Sequence, residues 1–244
     1  MISSIITLLL IVPLCVEGGK VLILPGEYSH WHNMRMIVEE LAERNHSGTV
    51  LVNSASPSVK SFQDDRVNFQ VFQVPLEKHE VNAMWNEFID LWMYQSRKLS
   101  KLQMFFKTIA VMDRMTSHNF IMCDGILRNA ALMETLRGLK FEVILSDPMM
   151  PCSDVLADIL ELPFVLSLRL SFGYVFEREC GQLPTPPSYV PVVPAQFTDH
   201  MDFVERLQNF LMYSSEIRVK VHKEDIYSFF MNDSMHVLAF FLSL

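Results

Sequence analysis

The chain has 244 residues, half of them apolar, and only 8 glycines, which excludes disordered, low-complexity and collagen-like classes. Its formal charge of −8 argues against nucleic acid as a partner, because a phosphate backbone calls for an excess of cations. Four cysteines with no CxxC pair and no histidine-rich spacing offer no metal site.

Residues 1–18 read as a secretory signal: Ile5 to Val12 is an apolar core, Pro13 breaks it, and Val16 and Gly18 suit the −3 and −1 positions of a cleavage site. The apolar run is too short to span a bilayer. Cleavage leaves about 225 residues, enough for one large α/β domain or two small ones. Cys15 departs with the leader, and the odd set Cys123, Cys152 and Cys180 speaks against a disulfide framework. Sequons begin at Asn45 and Asn232, and a luminal location makes both candidates for glycosylation.

Lys20 to Leu24 is short, apolar and β-branched, as expected of a strand buried on both faces, and Pro25 and Gly26 end it. From about His32 the pattern becomes helical, with Met34, Ile37, Val38 and Leu41 on one side and Glu39, Glu40, Glu43 and Arg44 on the other. This is the first half of a βαβ unit, and His30 falls in its turn. Ligands of open α/β sheets bind at the carboxyl ends of strands. A histidine there can act as a general base near neutral pH, or can simply hydrogen-bond the following helix.

Thr49 to Asn53 is the second expected strand, and Asn68 to Val74 a half-exposed third. Leu76 to Leu139 carries no strand signal and reads as three helices. Their faces are Trp85 to Met93, then Leu102 to Met112, then Ile126 to Leu136 closed by Gly138. Packing explains most of the Met and aromatic side chains here; such a Met-rich region also adapts to varied apolar ligands. Phe141 to Asp147 is the next buried strand, after which Ser153 is placed to cap a helix from Asp154 to Leu160, and Pro163 to Leu168 forms a further strand. Asp147 thus lies at the same sheet edge as His30. With the two strands side by side it could fix the imidazole tautomer; alone it is a common turn aspartate before proline. No GxSxG, GxGxxG or Walker sequence occurs at these turns, so a serine nucleophile and the usual phosphate cradles are excluded here.

Five stretches together resemble the amino-terminal half of a vertebrate UDP-glucuronosyltransferase of the family-2 type. They are Glu27-Tyr-Ser-His-Trp31, Ser146-Asp-Pro-Met-Met-Pro-Cys152, Phe172-Gly-Tyr-Val-Phe-Glu177, Pro186-Pro-Ser-Tyr-Val-Pro-Val-Val193 and Phe197-Thr-Asp-His-Met-Asp-Phe-Val-Glu-Arg206. The resemblance implies an α/β fold: a Rossmann-like amino-terminal domain of a GT-B glycosyltransferase, with a mostly parallel sheet flanked by helices. It further implies that His30 is the catalytic base and Asp147 its support, with Ser29, Trp31, Met149 and Phe172 as candidates for substrate contact. No metal or cofactor is implied for this half; UDP-glucuronate is the donor of the full-length family, and small lipophilic hydroxyl or carboxyl compounds are the acceptors.

Two departures accompany the resemblance. Asn45-His-Ser-Gly48 stands where relatives carry Gly-His-Glu-Val, which is expected to loosen the start of the second strand. Beyond about Ser214 the likeness fades, and the sugar-binding domain and membrane span are not seen. The expected organisation is a signal over 1–18, an acceptor-binding domain over 19–214 and a divergent tail over 215–244. The expected function is the acceptor half of a glucuronosyltransferase of the endoplasmic reticulum lumen, inactive alone. The rival readings are a non-catalytic partner, pairing with itself or with full-length relatives, and an incomplete gene model. Expression through a secretory route should yield a chain starting at Gly19; an intact Met1 in its mass spectrum would overturn the signal assignment.

Overall fold

The computed structural model describes residues 18–150, 152–168, 183–192 and 197–214. The leader, Pro151, Phe172, Cys180, Asn232 and the tail over 215–244 therefore lie outside the described residues. The chain divides into two compact units, with the boundary between Arg169 and Leu170.

The first unit is built on five parallel strands: β1 (Lys20–Leu24), β2 (Ser47–Asn53), β3 (Val67–Phe72), β4 (Val143–Ser146) and β5 (Phe164–Leu166). Their order is β3-β2-β1-β4-β5, a doubly wound arrangement in which the winding reverses between β1 and β4. Those two strands are direct neighbours, with Leu22 opposite Ile144 and Leu24 opposite Ser146. Four successive residues of β1 are buried, as a central strand covered on both faces requires. Leu22 and Leu24 face one core with Leu51, Phe72 and Ile144, while Val21 and Ile23 face a second with Val50, Val52 and Leu145.

Helix α1 (Ser29–Glu43) covers the second core with Trp31, Met34, Val38 and Ala42. It starts three residues before the expected point, so His30 belongs to its first helical turn and not to a loop. The buried stripe is also rotated: Trp31 enters it and Ile37 is exposed. The other core is covered by the long β3–β4 connection and by the helix that follows β4. That connection comprises α2 (Lys78–Asp90), a π-helical turn (Leu91–Gln95), α3 (Lys101–Leu127) and α4 (Ala130–Leu139). Ser100 caps α3 in a reciprocal pair with Gln103. The third expected helix is split, because Asn129 accepts from the Leu132 amide at 3.0 Å and starts a new helix. Ile126 and Leu127 belong to α3, and Gly138 lies inside α4 while Lys140 takes the left-handed position after it.

Helix α5 (Ser153–Leu160) begins at Ser153 itself. Cys152 occupies the N-cap in a left-handed conformation with no side-chain cap, so Ser153 is not the cap. Cys152 is also disulfide-bonded to Cys123 of α3. An odd cysteine count gave no reason to expect this bridge, since three thiols leave both the pair and its existence open.

In the second unit Asp202 and Glu205 cap each other's backbone at the start of a helix over 203–214, α6. Asn209 on that helix is fully buried. Its side chain accepts from the Val192 amide at 2.8 Å and donates to the carbonyls of Pro187 and Val190 at 2.7 and 2.8 Å. One side chain thus fixes the turn over 187–192 against its own helix.

The start of β2 is not loosened. Asn45 sits at φ 67 just past α1; its amide donates to Ala42 and that of His46 to Leu41, the paired pattern of a Schellman turn. The Gly19 amide donates to His46 Nδ1 at 2.9 Å and the Ser47 amide to the Gly19 carbonyl at 3.0 Å, so the strand is held from its first residue. Asparagine tolerates the left-handed region better than alanine does. In protein made without glycosylation, Asn45→Ala should lower unfolding free energy by about 1 kcal/mol while Asn45→Gly leaves it unchanged or higher, measured by urea unfolding.

Candidate active site

The geometry at the β1/β4 edge follows from the register. Strand β1 delivers Pro25 and Gly26 and then the first turn of α1; β4 ends at Ser146, and Asp147 follows at once. The Asp147 amide donates to the Leu24 carbonyl at 3.0 Å, extending the ladder by one step past the strand. His30 Nδ1 and Asp147 Oδ2 are then 2.7 Å apart. The other carboxylate oxygen, Oδ1, accepts the Met149 amide at 2.8 Å.

Asp147 is 1% exposed and the His30 side chain 19%. A buried carboxylate is stable only where its oxygens are hydrogen-bonded, and here both are. An ionised carboxylate can only accept, so the proton of the shared bond resides on Nδ1. That leaves the Nε2 lone pair of His30 free to take a proton from a ligand, with Asp147 stabilising the cation that results.

Gly26 is the residue that lets the two side chains meet. A Cβ on Gly26 would lie 2.7 Å from Asp147 Cγ and 2.8 Å from His30 Cβ, closer than carbon atoms approach one another. In the sequence Gly26 only marks the end of a strand; its role is a close approach, which no local pattern reports.

The preceding loop is also tied down. Ser58 donates its amide and hydroxyl to Glu27 Oε2, and its Oγ accepts the Tyr28 amide. The Tyr28 hydroxyl donates to Asn82 Oδ1 of α2, and its ring meets Trp85 edge-on at 6.2 Å. Burial, and then the neighbouring Glu27 carboxylate, hold the Tyr28 phenol above its usual pKa, so it remains a donor at neutral pH. The Cys123–Cys152 bond closes a separation of 29 residues and fastens the segment after Asp147 to α3. Chain-entropy arguments put the stabilisation from such a closure at about 3–4 kcal/mol.

The other candidates separate. Ser29 is exposed in the first turn of α1, beside His30 in sequence. Trp31 is 3% exposed and packs edge-on against Phe69 at 6.1 Å in the core beneath α1, so its ring fills the interior. Met149 is half-buried against the opposite core and meets the dyad through its backbone amide. Asn45 is exposed, while Phe172 and Asn232 lie outside the described residues. Among the described residues no group of three or more His, Cys, Asp or Glu side chains could hold a metal ion.

A histidine–aspartate pair at the switch point of a doubly wound sheet is an arrangement that can move a proton, at the edge where such folds take ligands. The chain belongs to the UDP-glycosyltransferases: the family model described as "UDP-glucoronosyl and UDP-glucosyl transferase" matches residues 19–237. The match runs beyond Ser214, where the motif resemblance fades. The chain is 40% identical to UDP-glucuronosyltransferase 2B1 of Rattus norvegicus over 216 residues, which is 88% of this chain and 41% of that protein. It is 38% identical to UDP-glucuronosyltransferase 2A1 of Homo sapiens over 199 residues, 80% of this chain and 37% of that protein. It therefore spans about two-fifths of the length of these curated relatives. Among solved structures, a UGT transferase from Siraitia grosvenorii in complex with UDP shares 15% identity at a TM-score of 0.39, over 80% of this chain and 40% of that one. The family assignment rests on the sequence matches.

Gly26→Ala should force His30 and Asp147 apart and cost about 1–3 kcal/mol of stability through overpacking. The hydrogen-bonded Nδ1 proton of His30, followed by NMR, should vanish in Gly26→Ala and in Asp147→Asn alike.

Proposed function

We propose that this chain is the acceptor-binding, base-bearing half of a UDP-glucuronosyltransferase. The single observation that carries the reading is the 2.7 Å contact between His30 Nδ1 and Asp147 Oδ2, in a chain of this family, at the sheet edge where α/β folds bind ligands.

In this reading a small lipophilic alcohol or phenol places its hydroxyl at His30 Nε2. The oxygen attacks the anomeric carbon of UDP-glucuronate as its proton passes to Nε2. The bond from that carbon to UDP breaks on the opposite face, so the configuration inverts and UDP leaves. Asp147 accepts from Nδ1 throughout and stabilises the imidazolium. General-base assistance of this kind supplies about a 10²–10⁴-fold acceleration. Ser29 and Met149 flank the reacting groups in sequence, and the Met-rich helices α2 to α4 supply adaptable apolar surface for varied acceptors. The turn after β1 carries no glycine-rich phosphate cradle, so the donor is held by residues other than these. The leader and the Asn45 sequon support action in the lumen of the endoplasmic reticulum. Among the described residues, no helix is long and apolar enough to cross a membrane.

Ionisation of the acceptor separates the base from mere packing. A phenol must lose its proton during transfer, whereas a carboxylic acid is already ionised at neutral pH. The test joins this chain to the donor-binding half of the rat 2B1 relative and measures glucuronide formation. His30→Ala should cut transfer to a phenol about 10²–10⁴-fold and transfer to a carboxylate much less. The 244-residue chain alone should bind the phenol and give no turnover. Equal losses with both acceptors would remove the base assignment, and turnover by the chain alone would remove the half-enzyme reading.

A further inference from the structure

We propose that the amino group created when the leader is cut after Gly18 is captured by His46 and Glu142, so that processing of the chain pins the start of its central strand. The inference rests on the leader reading and is independent of the proposed transfer reaction. Strand β1 opens at Lys20, one residue past the cut, so no spacer separates the new terminus from the sheet.

Residue 19 already sits in a site suited to a cation. Its amide donates to His46 Nδ1 at 2.9 Å, so that ring nitrogen presents a lone pair. A Cβ on Gly19 would lie 3.2 and 3.3 Å from the two carboxylate oxygens of Glu142. Nitrogen and Cβ share one Cα, so the Gly19 nitrogen is within about 6 Å of that carboxylate. Among the described residues no lysine or arginine pairs with Glu142, and the Lys20 ammonium turns instead to the Leu139 carbonyl at 3.3 Å. Glu142 is held in place, because its Oε1 accepts the Lys20 amide at 3.2 Å and its own amide donates to the Lys20 carbonyl at 2.9 Å.

Cleavage turns the single Gly19 N–H into an ammonium with three donors. One keeps the bond to His46, and a second turns to Glu142 in a charge-assisted contact that the uncut chain lacks. The Gly19 carbonyl accepts the Ser47 amide at 3.0 Å, so holding its nitrogen fixes β1 against β2 and β4 together, the register that sets His30 against Asp147. The corner also excludes an added residue with a side chain: a Cβ on Gly18 would lie 1.7 Å from the Asn45 carbonyl oxygen.

The measurement is reductive methylation of the α-amine at neutral pH with formaldehyde and cyanoborohydride, on chain made through a secretory route. Intact mass first locates the start of each product, and the mass of the amino-terminal peptide then follows the labelling. Only the uncharged amine reacts, and a carboxylate within reach keeps the group charged. Glu142→Gln, at an exposed position, should therefore speed labelling about three- to tenfold. A threonine inserted between Gly18 and Gly19 moves the amine out of the corner, and that chain should label at the faster rate with or without Glu142→Gln. A product that keeps Met1, or begins elsewhere than Gly19, would overturn the leader reading and the capture together. A product that begins at Gly19 and labels at the same rate with Glu142→Gln would overturn the capture alone. Should the insertion shift the cut, Glu142→Gln decides by itself.

Discussion

Asp147 is a carboxylate almost without contact with water, and the neighbourhood is arranged to satisfy it. One oxygen takes a backbone amide two residues on, and the other takes a ring nitrogen 117 residues earlier in the chain. Left unpaired, such a group would cost several kcal/mol or neutralise itself. The requirement runs outward from there. It needs β1 beside β4 in the observed register, because a slip of one residue would turn Asp147 to the other face. It needs the first turn of α1 to begin at Ser29, so that His30 projects from a fixed helix. It also needs Gly26, because no other residue leaves room.

Around this contact the structure is braced at several independent points. Ser58 holds the Glu27–Tyr28 backbone, Asn82 and Trp85 hold the Tyr28 side chain, and the Cys123–Cys152 bond holds the segment after Asp147. These ties limit how far His30 and Asp147 can shift relative to each other. The helical cover over the opposite core is less tightly specified. Methionines at 84, 115, 122 and 133 fill it, and Asn53 rests its amide on the Met122 sulfur at 3.9 Å. Among the described residues, its carbonyl oxygen, Trp92 Nε1 and His118 Nδ1 are buried without a protein hydrogen-bond partner. A region so packed is more tolerant of varied contacts than the dyad is.

Much of this was legible in the residues. The period of two or the unbroken apolar run marked every strand, to within two or three residues at each end. The carboxyl-edge rule put His30 and Asp147 on one side of the sheet, and the Ser-His-Trp and Asp-Pro-Met-Met stretches carried the family. What misled was local pattern at element ends. Asn129 divides a helix whose apolar spacing continues through it, and Ser153 looks like a cap where Cys152 holds the position. Trp31, grouped with the site by its neighbours in sequence, turns inward because its α1 position faces the core against Phe69.

The sequence by itself determined the class of fold, the sheet edge that carries both His30 and Asp147, and the family. Each is written in short-range periodicity or in the order of residues along the chain. Only the tertiary structure decided that β1 and β4 adjoin, that Gly26 must be bare and that Cys123 meets Cys152. These are relations between positions far apart in sequence, fixed by strand register and helix rotation. A single chain read residue by residue carries no term for the distance between two side chains that only packing brings together.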